Sequence, residues 1–153
     1  MFKGWKFVAL MFAFMLPMAL AHSPSLFAQG AKVHKLVIQV SRDDADGMNL
    51  ALGNAVNYNN YYKTKNEPTQ IEIVAYGPGI TIFRTDKSPV TERLVEVKKA
   101  IPNIVFSMCG NAKAAAERRE GKEIVPLPDV GVVPAGIVRV AELQEQGYAY
   151  ARP

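Results

Sequence analysis

Hydrophobic positions along this chain change period from block to block, from short continuous runs to spacings of three and four residues. Lys35 to Val40 (Lys-Leu-Val-Ile-Gln-Val) is short, β-branched and apolar at most positions, which predicts a strand covered on both faces. Asp43, Asp44 and Asp46 follow as candidate N-caps. Met48, Leu52, Ala55 and Tyr62 then recur near one face, predicting a helix over 48–62. Its other positions hold Asn49, Asn54, Asn57, Asn59 and Asn60, all weak helix formers, so some of these amides are expected to have structural or binding partners.

A polar stretch from Lys63 to Thr69 with Pro68 reads as a loop, and Ile71 to Tyr76 as a second apolar strand ending at the turn Gly77-Pro78-Gly79. Ser88 and Pro89 make an N-cap and first-turn pair. Val90, Leu94, Val97 and Ile101 follow at i, i+4, i+7 and i+11, predicting a second helix that Pro102 stops. Asn103 to Met108 predicts a third strand and Gly110 to Glu120 an alanine-rich third helix. After a loop marked by Pro126 and Pro128, Val130 to Val133 predicts a short fourth strand. Pro134 opens a fourth helix running to about Gln146, with Ile137, Val138 and Ala141 expected inward and Gly147 suited to the left-handed C-cap position. Tyr148 to Ala151 supplies a last strand.

Strands alternating with helices over short connections, with right-handed crossovers, predict an α/β fold: a three-layer α/β/α sandwich around a mainly parallel sheet of about five strands. In such sheets, ligands and reactive groups gather at the carboxyl ends of the strands. The sequence holds no internal repeat, coiled coil or low-complexity tract.

The first residues change the picture. Lys3 and Lys6, an apolar run from Phe7 to Leu20 and Ala19-Leu20-Ala21 have the three-part organisation of a secretory signal. At about 14 residues and interrupted by Pro17, the run is shorter than the roughly 20 a bilayer-spanning helix needs. The expected organisation is a signal peptide over 1–21, with cleavage as late as 28, a flexible tail over 22–32 and one α/β domain over 33–153. The protein is thus expected to be exported, periplasmic or secreted, with no stable membrane span after cleavage. At 153 residues and 49% hydrophobic, the chain suits one domain with a core of its own.

Charge excludes more than it suggests. The full chain has 18 basic and 14 acidic residues, and loss of Lys3 and Lys6 leaves little net charge. Arg118, Arg119 and Lys122 cluster, but Glu117, Glu120 and Glu123 interleave with them, as on a solvated helix face; no nucleic-acid partner is expected.

The one cysteine, Cys109, cannot form an internal disulfide, so it is either buried and inert, paired with another molecule, or functional. It falls between the third strand and the third helix. Unpaired N–H groups and the positive end of a helix dipole favour a thiolate there, whereas burial among Phe106, Met108 and the helix alanines disfavours charge. Gly110 removes bulk beside the sulfur, and Asn111 could cap the helix or donate to the sulfur. Gly77, Pro78 and Gly79 end the neighbouring strand and either line the same crevice or form a tight turn. Ile82 stands where a dinucleotide fingerprint needs its third glycine, and there is no P-loop. His34, at the start of the first strand, is expected far from Cys109, which argues against a Cys–His pair. One cysteine and remote histidines do not make a metal site, and no cofactor is implied.

Leu52-Gly53-Asn54 with Asn57, then Tyr76-Gly77-Pro78-Gly79, Cys109-Gly110-Asn111, Val133-Pro134-Ala135-Gly136, Leu143-Gln144 and Gly147-Tyr148-Ala149-Tyr150 follow in an order that resembles the DsrE/DsrF-like family of sulfur-handling proteins. The resemblance covers essentially the whole chain after the leader. It implies a three-layer fold, homo-oligomers and sulfur relay, with a persulfide carried on the cysteine after this strand and before a helix ending in an Arg-x-Gly-like turn, here Arg119 and Gly121. It also implies a partner that is a thiol-bearing protein or a small sulfur donor or acceptor. The better-understood branches are cytoplasmic, whereas this chain is expected to be exported. Three functions follow as expectations: a sulfur carrier using Cys109, a noncatalytic small-ligand module shaped by Gly77 to Gly79, Asn54 and Asn111, or a structural oligomer. Tyr148 and Tyr150 read as packing residues on one face of an edge strand that would be buried against another subunit.

Overall fold

The computed structural model describes Met1 and residues 32–153; the predicted leader and nearly all of the tail lie outside the described residues. Ten elements follow in order: β1 (His34–Val40), α1 (Ala45–Lys63), β2 (Thr69–Ala75), a 3-10 segment (Gly77–Phe83), α2 (Thr91–Ala100), β3 (Val105–Cys109), α3 (Gly110–Glu120), β4 (Val130–Val133), α4 (Gly136–Glu145) and β5 (Ala149–Ala151). The five strands form one sheet in the order β4-β3-β2-β1-β5, and every pairing is parallel.

That order decides where the helices go. From β1 to β4 the chain steps along the sheet in one direction, and right-handed crossovers put α1, α2 and α3 on the same face. Met48, Leu52, Leu94, Val97 and Ala116 from these helices pack on Leu36, Ile38, Ile71, Ile73 and Phe106 in the main core. The step from β4 to β5 runs the other way, so α4 covers the opposite face, where Val140 and Leu143 meet Val37 and Val74 in a smaller core. The α/β class, the parallel sheet and the layering of helices on both faces agree with the sequence expectation.

Several local expectations need correction. Ile137, Val138 and Ala141 point outward, with Ile137 59% and Val138 52% exposed. The inward residues of α4 are Gly136, Val140 and Leu143, an equally good helical spacing on the other face. Helix α2 begins at Thr91 rather than at Pro89, with Val90 at the N-cap; the Ser88 hydroxyl donates to the Ile82 carbonyl at 2.6 Å and accepts from the Val90 amide at 3.4 Å. The apolar face read for this helix nevertheless holds, since Val90, Leu94, Val97 and Ile101 are all buried. The turn at Gly77 continues as the 3-10 segment through Phe83, with Ile82 and Phe83 in the core. Glu117 and Glu120 are not simply solvated. Glu117 accepts from Lys113 and from the Ile124 amide, and Glu120 accepts from Arg84 and Lys87.

Other signals hold. Asp44 caps α1, its Oδ1 accepting from the Gly47 amide at 2.6 Å. Asn49 donates to the Ala45 carbonyl, and Asn59 accepts from the Thr69 hydroxyl at 2.7 Å. Gly147 takes positive φ just beyond α4. β5 is an edge strand; the Tyr150 hydroxyl donates to Gln39 at 2.6 Å and the Tyr148 hydroxyl to Gln70 at 3.3 Å.

Candidate functional site

Cys109 is the last residue of β3 and the N-cap of α3. A parallel strand that delivers its final residue directly into a helix leaves the first amides of that helix without backbone acceptors, and a cap side chain supplies one. Here Sγ does so, accepting from the Ala112 amide at 3.4 Å. The cysteine itself, rather than Asn111, fills the cap.

The thiol is buried, with the residue only 6% exposed. On the closed chain the thiol is therefore not freely accessible. Part of the cover comes from α4. A Cβ at Gly136 would stand 3.1 Å from the Cβ of Cys109 and 2.8 Å from that of Tyr76. Glycine at this position lets the first turn of α4 lie directly on both residues. Gly110 and Asn111 meet the same β4–α4 connection: a Cβ on Gly110 would lie 3.2 Å from the Val133 carbonyl oxygen, and the Asn111 amide donates to the Pro134 carbonyl at 3.2 Å.

The glycine turn after β2 has steric reasons for its sequence. Gly77 has φ of +53°, and a Cβ on Gly79 would fall 2.4 Å from the Val40 carbonyl oxygen. Gly77 and Pro78 also line a cavity of about 250 Å³ between the 3-10 segment and α3. Its α3 wall begins at Ala112, whose amide holds the sulfur, and its lining includes Arg84, Lys87 and Arg119. Cys109, Gly110, Asn111 and Gly79 are not among the lining residues of this cavity, and neither is Asn54, which lies midway along α1. The structure thus brings Cys109, Gly110 and Asn111 together under the start of α4, and sets Gly77 and Pro78 in a cavity next to them.

Three features escaped the sequence reading. Tyr76 follows β2 and packs beside Cys109 against Gly136; burial pushes its phenol up, with Tyr150 adding to the effect and Arg152 opposing it. Arg84, only 2% exposed, is gripped by Asp86 and Glu120 through four hydrogen bonds of 2.7 to 2.9 Å. On the α4 face, Glu72 is 2% exposed and binds Arg139 through two hydrogen bonds of 2.8 and 2.7 Å. The Ser107 hydroxyl donates to the same carboxylate at 2.6 Å. A charged residue within the apolar run of β2 was the available signal for this cluster, because a carboxylate in a strand covered on both faces requires a cationic partner.

His34 lies at the amino end of β1, the far end of the sheet from Cys109, bonded to Glu67 at 2.6 Å and stacked on Tyr62. Among the described residues no group of three or more His, Cys, Asp or Glu side chains could hold a metal ion, and no helix is long and apolar enough to cross a membrane.

Comparison with known proteins gives the same frame. No curated protein matches the chain. Among solved structures it is similar to the protein of unknown function MTH1491 from Methanobacterium thermoautotrophicum, with 26% identity and a TM-score of 0.62, covering 78% of this chain and 99% of that one. The model of the DsrE/DsrF-like family matches residues 34–151, which take in all five strands, the Cys109 cap and the α4 turn above it. The chain belongs to the DsrE/DsrF-like family.

Proposed function

We propose that this protein is a sulfur-relay protein that carries sulfane sulfur as a persulfide on Cys109. The observation that supports this most is the place of the chain's one cysteine. It ends β3 and caps α3 with its sulfur on the Ala112 amide, in a chain that belongs to a family with sulfur-handling members. The thiolate is the form that attacks sulfur. In the loading step the Cys109 thiolate attacks the terminal sulfur of a polysulfide. A new S–S bond forms, the old S–S bond breaks, and the shortened polysulfide leaves with the electron pair. Transfer onward is attack by an acceptor thiolate on the outer sulfur, which returns Cys109 as a thiolate. The donor is a small polysulfide-like species and the acceptor a thiol-bearing protein or small molecule. Treatment with polysulfide and measurement of intact mass, with Cys109→Ser as control, tests the reading.

A second reading has its own support. The cavity of about 250 Å³ beside Gly77 and Pro78 suits a small ligand, and binding there that Cys109→Ser leaves unchanged would favour a noncatalytic module. Export and self-association belong to the same proposal. Lys3, Lys6 and the apolar run to Ala21 support the first. The outward Ile137, Val138 and Ala141 of α4, with the exposed Tyr150 on edge strand β5, support the second.

A further inference from the structure

Cys109 is buried, yet loading and unloading a sulfur atom require a donor and an acceptor to reach Sγ. Some element must move, and the packing around the thiol singles out one. Helix α4 is the one helix on its face of the sheet among the described residues, and its small core consists of Val140 and Leu143 against Val37 and Val74. With Gly136, Val140 and Leu143 are the buried residues of α4, so its apolar anchor is small. Its first residue, Gly136, lies on Cys109 and Tyr76. One turn on, the Arg139 amide donates to the Ala135 carbonyl at 3.0 Å, and the Arg139 side chain reaches down to Glu72 in β2. Glu72 is fixed in turn by Ser107, two residues before Cys109 on the neighbouring strand and on the same face of the sheet.

We infer that the Glu72–Arg139 ion pair is a latch that holds the first turn of α4 over Cys109, so that Glu72 and Arg139 are positioning residues that set how often the thiol is exposed. The meaning of this latch for sulfur relay rests on the persulfide reading; the latch itself does not. A paired bidentate bridge inside an apolar face is directional. It fixes the angle and register of α4 in a way that Val140 and Leu143 alone do not. Arg139 also reaches toward Glu142 at 3.8 Å, on the solvent side. The guanidinium, the more exposed end of the pair, therefore has a solvent-side neighbour to which it can turn when the latch opens.

The test is the rate at which iodoacetamide alkylates Cys109 in the full mature protein at fixed pH, set beside urea stability. Arg139→Met alone leaves a buried, unpaired carboxylate and endangers folding, so the informative variant is Glu72→Gln combined with Arg139→Met. This removes both charges together, keeps a partner for Ser107 and preserves apolar contact. The latch predicts alkylation faster by about tenfold or more with the urea midpoint little changed, because local opening is raised without global unfolding. A merely structural pair would change both quantities together. A folded double variant alkylated at the wild-type rate overturns the inference. If the double variant does not fold, Arg139→Lys decides, since it keeps the charge but loses the bidentate grip; an increased rate supports the latch and an unchanged rate overturns it. Iodoacetamide needs no sulfur donor, so the latch can stand while the persulfide reading fails, and the reverse.

Discussion

A Cβ placed on Gly136 would come within 3.1 Å of the Cβ of Cys109, which makes the first turn of α4 the immediate cover of the chain's one thiol. The chemistry at the end of β3 and the packing of a helix that follows much later in the chain are therefore one problem. The same contact places Tyr76 against both.

Glycine substitutions should divide by what each missing Cβ would touch. Gly136→Ala forces α4 away from Tyr76 and Cys109 and should cost about 1–3 kcal/mol of stability, with faster alkylation of Cys109. Gly79→Ala meets backbone at 2.4 Å, which cannot yield as a side chain can, and should cost about 3 kcal/mol or more. Gly53→Ala, inside α1 with open space around it, should instead stabilise by about 0.5–1 kcal/mol. Urea unfolding of the three variants measures all of these; equal effects would refute the steric account.

Acid should weaken the fold through the Arg84 cluster. Hydrogen bonding from Arg84, then from Lys87, holds Glu120 down to about 2 from its ordinary 4.5, and Arg84 followed by Lys122 holds Asp86 well below its usual range. Both folded values are depressed. The stability they contribute is therefore present above the unfolded values, near 4, and is lost as pH falls from there toward 2. Stability measured from pH 6 down to 2 should fall over that window. In Arg84→Met the fall should be shallower, and an identical slope in both proteins would remove the cluster from the explanation.

Expressed with its leader in a bacterial host, the protein should reach the extracytoplasmic fraction with a new N-terminus between His22 and Gln29. Recovery from the cytosol with Met1 intact would count against export.

Self-association should depend on the outward face of α4. Light scattering on the mature protein should give a dimeric or larger mass, and Val138→Glu, at a position 52% exposed, should shift it to monomer without loss of fold. A monomer for wild type at micromolar concentration contradicts the expectation.

Local signals made the order of elements legible. The run Lys35 to Val40, the cap at Asp44, the Val90–Leu94–Val97–Ile101 face and Gly147 each act within a few residues, and each stands in the structure where its chemistry indicates. Helix α4 was misread for a physical reason. Ile137, Val138 and Ala141 and the alternative set Val140 and Leu143 are both apolar at helical spacing, and only the sheet decides which one faces it. The position of Cys109 between strand and helix was visible, but its burial was not, because α4 begins more than twenty residues later. Glu72 illustrates the same limit. Its need for a cation could be read from β2, but Arg139 as that cation could not, since 67 residues separate them.

The most direct measurement for the account as a whole is intact mass after exposure of the mature protein to polysulfide, with Cys109→Ser alongside. The account predicts a gain of one sulfur on the wild type alone, removed by a thiol reductant, and loaded faster when the Glu72–Arg139 latch is removed. Failure of both the wild type and the latch double variant to gain sulfur, with iodoacetamide reaching Cys109 in the double variant, would contradict it, leaving the cysteine as a helix cap and core residue.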